Sequence, residues 1–278
     1  MKAFDLHAGK RLGQNFLIDK TVIDATIDAA AVKKGDCILE IGPGIGTLTQ
    51  GLLEAGATVT AVEADKKLPA VLAKTLAGYK NFRLIEGDVL KTDVAALMGN
   101  APFKAVANLP YYITTPILLR LLTSKLSLIS ITVMVQKEVA ERMTAKENTK
   151  EYGALSVAVQ YFTAPQIVRI VPPDAFFPPP KVKSAVVRLD ILPEKGVSTA
   201  DEKLFFRVVR AAFGQRRKTL ANALKGGGFD NQTISAALKA ANIEGTRRGE
   251  TLSLAEFAVL SDCFAAPVNL LEEKGGIL

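Results

Sequence analysis

The chain has 278 residues, of which 49% are hydrophobic and 23% charged, so it is long enough to bury a large core without disulfides. Its one histidine and two distant cysteines, Cys37 and Cys263, predict neither histidine catalysis nor a metal site. The sequence has no signal-peptide core and no apolar run of about 18 residues that would span a membrane. We therefore expect a cytoplasmic protein.

The net charge of +7 is unevenly distributed. Between residues 201 and 228 there are seven basic residues and two acidic ones. Such clustering favours a polyanionic partner, because bound cations release counterions from a phosphate backbone. A solvated helix face would have the same composition, so charge alone leaves both interpretations open.

The predicted elements begin with a helix over residues 20–31, capped by Asp19. From residue 36 to 136, apolar runs alternate with amphipathic segments, which is typical of βαβ units around a parallel sheet. The predicted strands are 36–42, 58–65, 82–88, 104–110 and 129–136, and the helices between them include 47–56 and 68–79. In the last of these, Leu68, Leu72 and Leu76 share one face.

A helix is predicted over residues 137–143. Two β-rich segments, 166–173 and 184–192, then flank the motif FFPPPKVK, which predicts an antiparallel pair at the sheet edge and a sheet of about seven strands. Pro193 and Gly196 mark a boundary, beyond which the pattern is only helical. We therefore predict an α/β domain over residues 1–192 and a small all-helical domain over 193–278. The helical segments after the boundary are 204–213, 219–226, 233–242 and 254–264.

The first predicted strand ends in Glu40 and is followed by a loop with Gly42, Gly44 and Gly46. Glycines in such a loop let a ligand approach the backbone beside a helix N-terminus. Glu63 ends the second strand, where a carboxylate can accept hydrogen bonds from ribose hydroxyls. Dinucleotide sites favour G-x-G-x-x-G, whereas this loop reads G-x-G-x-G; a tight strand-to-helix turn is the alternative.

Two further strand ends carry polar groups. Asp88 follows the third strand, and the sequence Asn108, Leu109, Pro110, Tyr111 follows the fourth. Ligands of open α/β sheets bind along the carboxyl edge, and Asp88 there could accept a hydrogen bond from an adenine amino group. The strand ends together predict a nucleoside cofactor.

These motifs, in this order, resemble S-adenosylmethionine-dependent methyltransferases that act on adenine. The segments LGQNFL (12–17), FFPPPKVKSAVVRL (176–189) and FGQRRKTLANAL (213–224) extend the resemblance to the rRNA adenine N6-methyltransferase family, and to its small-subunit (16S) dimethyltransferases in particular. The resemblance implies a Rossmann-like seven-stranded methyltransferase sheet flanked by helices and a helical C-terminal domain that contacts RNA. It also implies S-adenosyl-L-methionine as cofactor, and dimethylation of two adjacent adenosines in the 3′-terminal hairpin of 16S rRNA during ribosome biogenesis.

The resemblance also implies roles for individual residues. The implied cofactor site comprises Asn15, Leu17, Gly42, Gly44, Glu63, Asp88 and Asn108, with Gly46 shaping its loop. The implied catalytic residues are Asn108, Leu109, Pro110 and Tyr111. The implied contacts of the substrate base are Tyr111 and Phe176. In the basic segment, Arg216, Arg217 and Lys218 are predicted to contact RNA phosphates, with Lys10 and Arg11 as further candidates; ordinary surface charge is the alternative for each.

The Asn-Leu-Pro-Tyr sequence suits amine methylation although it has no acid, base or thiol. The lone pair of an adenine amine is delocalised into the ring, so the enzyme must orient and polarise the amine. The side-chain oxygen of Asn108 and the carbonyl of Leu109 can accept its two hydrogens and stabilise developing positive charge. Pro110 fixes the turn, and Tyr111 offers a flat face to a flipped base.

Three alternatives remain at this stage. A large-subunit (23S) rRNA adenine N6-methyltransferase of the macrolide-resistance type shares the cofactor motifs, but the three prolines and the chain length favour the small-subunit enzyme. An NAD-dependent oxidoreductase leaves the Asn-Leu-Pro-Tyr sequence unexplained. A ribosome-assembly factor could carry the same motifs. The predicted partner is 16S rRNA in a small subunit or its precursor, with no membrane and no obligate protein partner.

Overall fold

A computed structural model describes residues 15–265. These residues form two compact units, one of residues 15–140 with Ala164–Ile191 and the other of Glu141–Thr163 with residues 192–265. No helix within the described range has the length and apolar character needed to cross a membrane.

The first unit is built on a seven-stranded sheet. The strands are β2 (Cys37–Ile41), β3 (Thr58–Glu63), β4 (Phe82–Glu86), β5 (Phe103–Asn108), β6 (Leu128–Gln136), β7 (Thr163–Val171) and β9 (Ser184–Ile191). They lie in the order β4-β3-β2-β5-β6-β9-β7. The strands from β2 to β6 pair in parallel, whereas β9 runs antiparallel to β6. The predicted strands and the adjacency of the last two are confirmed, and the α/β fold class with them.

The helices of this unit bury their apolar faces against the sheet. They are α1 (Lys20–Ala29), α2 (Thr47–Glu54), α3 (Pro69–Thr75), α4 (Val94–Met98), α5 (Thr114–Thr123) and the start of α6 (Lys137–Thr144). Asp19 caps α1 as predicted, accepting a hydrogen bond from the Thr21 amide at 2.8 Å. Helix α1 ends two residues before the predicted end, because Ala31 adopts a positive φ of 46°. Helix α3 is shorter than predicted, but its leucine face is buried.

A two-stranded sheet joins two motifs that are far apart in the sequence. Strand β1 (Phe16–Leu17) pairs antiparallel with β8 (Phe176–Phe177), with Leu17 opposite Phe176. The amide of Ile18 extends the contact by donating to the carbonyl of Ala175 at 2.9 Å. Sequence periodicity does not predict this pair, because each strand has only two residues.

The second unit consists of helices around an aromatic core. They are the end of α6, α7 (Ala154–Phe162), α8 (Glu202–Gly214), α9 (Leu220–Gly226), α10 (Asn231–Ala240) and α11 (Leu254–Ala265). The ring of Tyr161 in α7 stacks on Phe205 in α8, with ring centroids 4.9 Å apart. This packing explains why Glu141–Thr163 belongs to the helical unit, although the sequence analysis assigns it to the N-terminal domain.

Candidate active site

A cleft opens at the carboxyl edge of the parallel strands. Strands β2, β3 and β5 contribute to it, together with β1. Its lining comprises residues 15–17, Glu40, 42–45, Thr47, Leu48, Glu63 and 108–111. The glycine loop, Glu63 and the Asn-Leu-Pro-Tyr turn are therefore brought together as the strand-end argument predicts.

The glycine loop has a backbone that other residues would strain. Gly42 and Gly44 have φ of 67° and 61°, in the left-handed region that favours glycine. A Cβ at Gly44 would also lie 3.2 Å from the ring of Phe16. The loop therefore packs closely against β1, and residues 42–45 line the cleft.

Glu63 is held in a single orientation by the backbone. One carboxylate oxygen accepts from the Gly44 amide at 3.2 Å, and the other accepts from the Asp65 amide at 2.8 Å. The side chain is buried, and burial raises the pKa of Glu63 while these two hydrogen bonds oppose the rise. Each oxygen keeps a further acceptor site for a ribose hydroxyl.

Glu40 is a second buried carboxyl of the cleft, and it is not among the site residues predicted from the sequence. It is 1% exposed, and no described group hydrogen-bonds its Oε2 atom. Burial raises the pKa of Glu40 to about 8. The Thr49 side chain opposes this rise in pKa, and the charge of Glu63 adds to it. The signal in the sequence is an acid within the apolar strand Cys37–Ile41.

The amide of Asn108 is oriented by the chain itself. Its Nδ2 atom donates to the carbonyl of Asn15 at 3.2 Å, so Oδ1 is the atom left to accept a hydrogen bond. No described residue donates to this Oδ1 or to the carbonyl of Leu109. The Leu109 amide donates to Met134 at 3.3 Å, which ties the turn to β6.

Tyr111 lines the cleft, and its side chain is anchored at the hydroxyl. Its hydroxyl lies 2.7 Å from Oγ of Ser184, the first residue of β9. Burial raises the pKa of the Tyr111 phenol, and the bond to Ser184 lowers it in part. Ser184 is not among the site residues predicted from the sequence, although it lies inside the FFPPPKVKSAVVRL motif.

Asp88, predicted to bind the cofactor, and Phe176, predicted to contact the base, do not line the cleft. Asp88 lies one strand further along the same edge. The amide of the preceding Gly87 donates to the Glu63 carbonyl at 2.8 Å, and Oδ1 of Asp88 accepts from the Leu90 amide at 2.9 Å. Phe176 is 2% exposed and packs in the hydrophobic core, whereas Phe177 is 51% exposed.

The predicted RNA contacts Arg216, Arg217 and Lys218 are exposed in the turn between α8 and α9. Arg216 donates to the carbonyl of Lys150 and lies 3.7 Å from Glu250, so part of its guanidinium is engaged within the helical unit. Lys10 and Arg11 lie outside the described residues.

The fold and the cleft define a Rossmann-like, S-adenosylmethionine-dependent methyltransferase. The model of the family described as "Ribosomal RNA adenine dimethylase" matches residues 6–260. The chain therefore belongs to the ribosomal RNA adenine dimethylase family, and S-adenosylmethionine is its methyl donor. Within the described range, no group of three or more His, Cys, Asp or Glu residues is arranged to hold a metal ion.

Individual relatives distinguish the branches of this family. The chain is 48% identical to "Ribosomal RNA small subunit methyltransferase A" of Alkaliphilus oremlandii, over 95% of this chain and 94% of that protein. A dimethyladenosine transferase of Plasmodium falciparum superposes with a TM-score of 0.74 at 27% identity, covering 88% of this chain and 95% of that one. The 23S rRNA methyltransferase ErmE superposes with a TM-score of 0.69 at 25% identity, covering 91% of this chain and 100% of that one. The large-subunit alternative is therefore not favoured.

Proposed function

We propose that this enzyme transfers two methyl groups to N6 of each of two adjacent adenosines in the 3′-terminal hairpin of 16S rRNA. The substrate would be a small ribosomal subunit or its precursor in the cytoplasm, and the modification a step of subunit biogenesis. The high identity to a small-subunit enzyme supports the choice of RNA.

One observation carries the proposed chemistry. Asn15 holds the Nδ2 side of the Asn108 amide. This leaves Oδ1 as an acceptor beside the Leu109 carbonyl, to which no residue in the described range donates. These two oxygens would accept the two hydrogens of the adenine amine, favouring a tetrahedral nitrogen and stabilising its developing positive charge. Because the acceptors are preorganised, the turn needs no general base, and the displaced proton can leave to solvent.

The cofactor would be held by the residues that fit a nucleoside. Glu63 would accept from the ribose hydroxyls, and Asp88 from the adenine amino group. Gly42 and Gly44 would admit the methionine portion close to the backbone, and Asn15, Leu17 and Asn108 complete the set. When bound, S-adenosylmethionine supplies an electrophilic methyl group attached to a sulfonium.

The target base would stack on Tyr111, which lines the cleft. The opposite face of the base is assigned to Phe176 by family resemblance. Its side chain is only 2% exposed in this structure, so that assignment requires a rearrangement that uncovers the ring when RNA binds. Arg216, Arg217 and Lys218 would contact phosphates from the helical unit.

The experiment is to map methyl groups on rRNA from cells with and without this chain, by primer extension and mass spectrometry. We expect dimethylated adenosines at two neighbouring 3′-terminal positions of 16S rRNA only when the chain is present. Methylation that appears instead on 23S rRNA, or an unchanged pattern on 16S rRNA, would contradict the proposal.

A further inference from the structure

The ring of Tyr111 is tied to a strand that the proposed chemistry does not otherwise use. Its hydroxyl is 2.7 Å from the Ser184 hydroxyl, and Ser184 is fully buried, with 0% exposure. A buried hydroxyl that loses its hydrogen-bond partner destabilises the folded state. The bond therefore favours one fixed position of the two side chains relative to each other.

The fold explains why Ser184 reaches this position. Strand β9 is antiparallel to β6 and pairs Ser184 with Gln136, while the Lys137 amide donates to the Lys183 carbonyl at 3.0 Å. The amino end of β9 therefore lies at the carboxyl edge of the parallel strands, beside the turn that follows β5. The pairing of Ser184 with Gln136 and the bond to the preceding Lys183 together fix the backbone of Ser184 against β6.

We propose that Ser184 is a positioning residue for methyl transfer, acting through the ring of Tyr111. The Tyr111 hydroxyl lies on the axis of ring rotation, so the bond to Ser184 does not prevent ring flips. It instead limits the swing of the whole ring about the Cα–Cβ bond, and so holds the stacking face in the cleft before RNA arrives. The Tyr111 side chain then loses less conformational entropy when RNA binds.

This inference rests on the proposed role of Tyr111 as the stacking surface. It assigns a function to the serine that follows the three prolines in the FFPPPKVKSAVVRL motif. The motif would then act on the cleft through two contacts, the β1–β8 pair at Phe176 and the hydroxyl bond at Ser184.

The test is a double-mutant cycle with Ser184→Ala, Tyr111→Phe and the combined variant. Activity is measured as kcat/KM on small ribosomal subunits that lack the modification, with radiolabelled S-adenosylmethionine. We expect each single variant to lose about 5- to 10-fold, and the combined variant to lose no more than either one. The dissociation constant of S-adenosylmethionine, measured by calorimetry, should stay unchanged.

Ser130→Ala is the matched control, because Ser130 is also fully buried in the same sheet and no described group hydrogen-bonds its hydroxyl. That variant should keep wild-type kcat/KM, and Ser184→Thr, which retains a hydroxyl, should recover activity. Should the Ser184 variants fail to fold, Tyr111→Phe still tests the tether, since it keeps the ring and removes only the bond.

Wild-type kcat/KM in Ser184→Ala or in Tyr111→Phe, or losses that multiply in the double variant, would overturn the inference. The proposed function fails separately: a Tyr111→Ala variant with normal transfer would remove the stacking role itself. Impaired Tyr111→Ala with unimpaired Tyr111→Phe would remove only the role of Ser184.

Discussion

The turn over residues 108–111 and the turn over residues 216–218 both follow a regular element and carry polar groups, but the chain holds them differently. The first is fixed by hydrogen bonds to Asn15, Met134 and Ser184. The second is exposed, and only its first residue has a side chain bonded within the described residues. Under the proposed function, the first turn would act through fixed neutral acceptors and the second through electrostatic attraction of RNA.

The largest expected effect is at Asn108. Replacing it by Ala removes the oriented acceptor, so we expect the single-turnover rate of methyl transfer to fall by about 100- to 1,000-fold. Calorimetry should show cofactor affinity changed by less than about tenfold. Asn100→Ala is the matched control, since Asn100 is exposed and precedes the strand that Asn108 ends. Near-normal transfer by Asn108→Ala would remove the proposed mechanism.

Burial in the cleft should make stability depend on pH through Glu40. The unfolded carboxyl titrates near 4.5 and the folded one near 8, so between these values only the folded chain keeps the proton. Stability is then fully present below the lower pKa and falls by about 1.4 kcal/mol per pH unit as pH rises towards the upper one.

A Glu40→Gln variant has no proton to lose, so its unfolding free energy should rise relative to wild type between pH 5 and pH 8. Urea unfolding at several pH values measures this, and exposed Glu86→Gln provides the matched control. Parallel pH profiles for Glu40→Gln and wild type would mean that the Glu40 carboxyl is not held protonated.

The adjacent phenylalanines separate a buried ring from an exposed one. If Phe176 stacks on the base, Phe176→Leu, which keeps an apolar side chain but loses the flat ring, should lower kcat/KM for RNA by about tenfold. Phe177→Leu should have a smaller effect. The reverse order would transfer the stacking assignment from Phe176 to Phe177.

The smallest effect belongs to the basic turn. Neutralising Arg217 and Lys218 together to Gln should weaken RNA binding severalfold and reduce the slope of log affinity against log salt by about 1.5. Lys33→Gln with Lys34→Gln, an exposed pair before β2, should leave the slope unchanged. Filter binding across a salt series makes the comparison, and an unchanged slope for Arg217 and Lys218 would exclude them from the interface.

Much of the cleft could be predicted because parallel strands end at one edge. An apolar run followed by Gly42, Glu63 or Asn108 identifies both a strand and its functional end. The sequence could not provide the strand order or the contacts that depend on it, such as Tyr111 with Ser184, because they join segments 73 residues apart.

Burial was the other quantity that the sequence could not supply. Phe176 and Phe177 are adjacent residues of the same type in β8, yet the first is buried and the second is exposed. The sequence likewise predicts only that Glu40 is an acid at a strand end. The fold shows that its carboxyl is buried.

The comparison of the two turns is tested most directly by single-turnover methyl transfer with RNA and S-adenosylmethionine both saturating. Under that condition the Arg217→Gln, Lys218→Gln variant should transfer methyl groups at the wild-type rate, because its defect lies in affinity. Asn108→Ala should remain slower by about two orders of magnitude or more. A saturated rate that is lost in the basic variant, or retained in Asn108→Ala, would contradict the account.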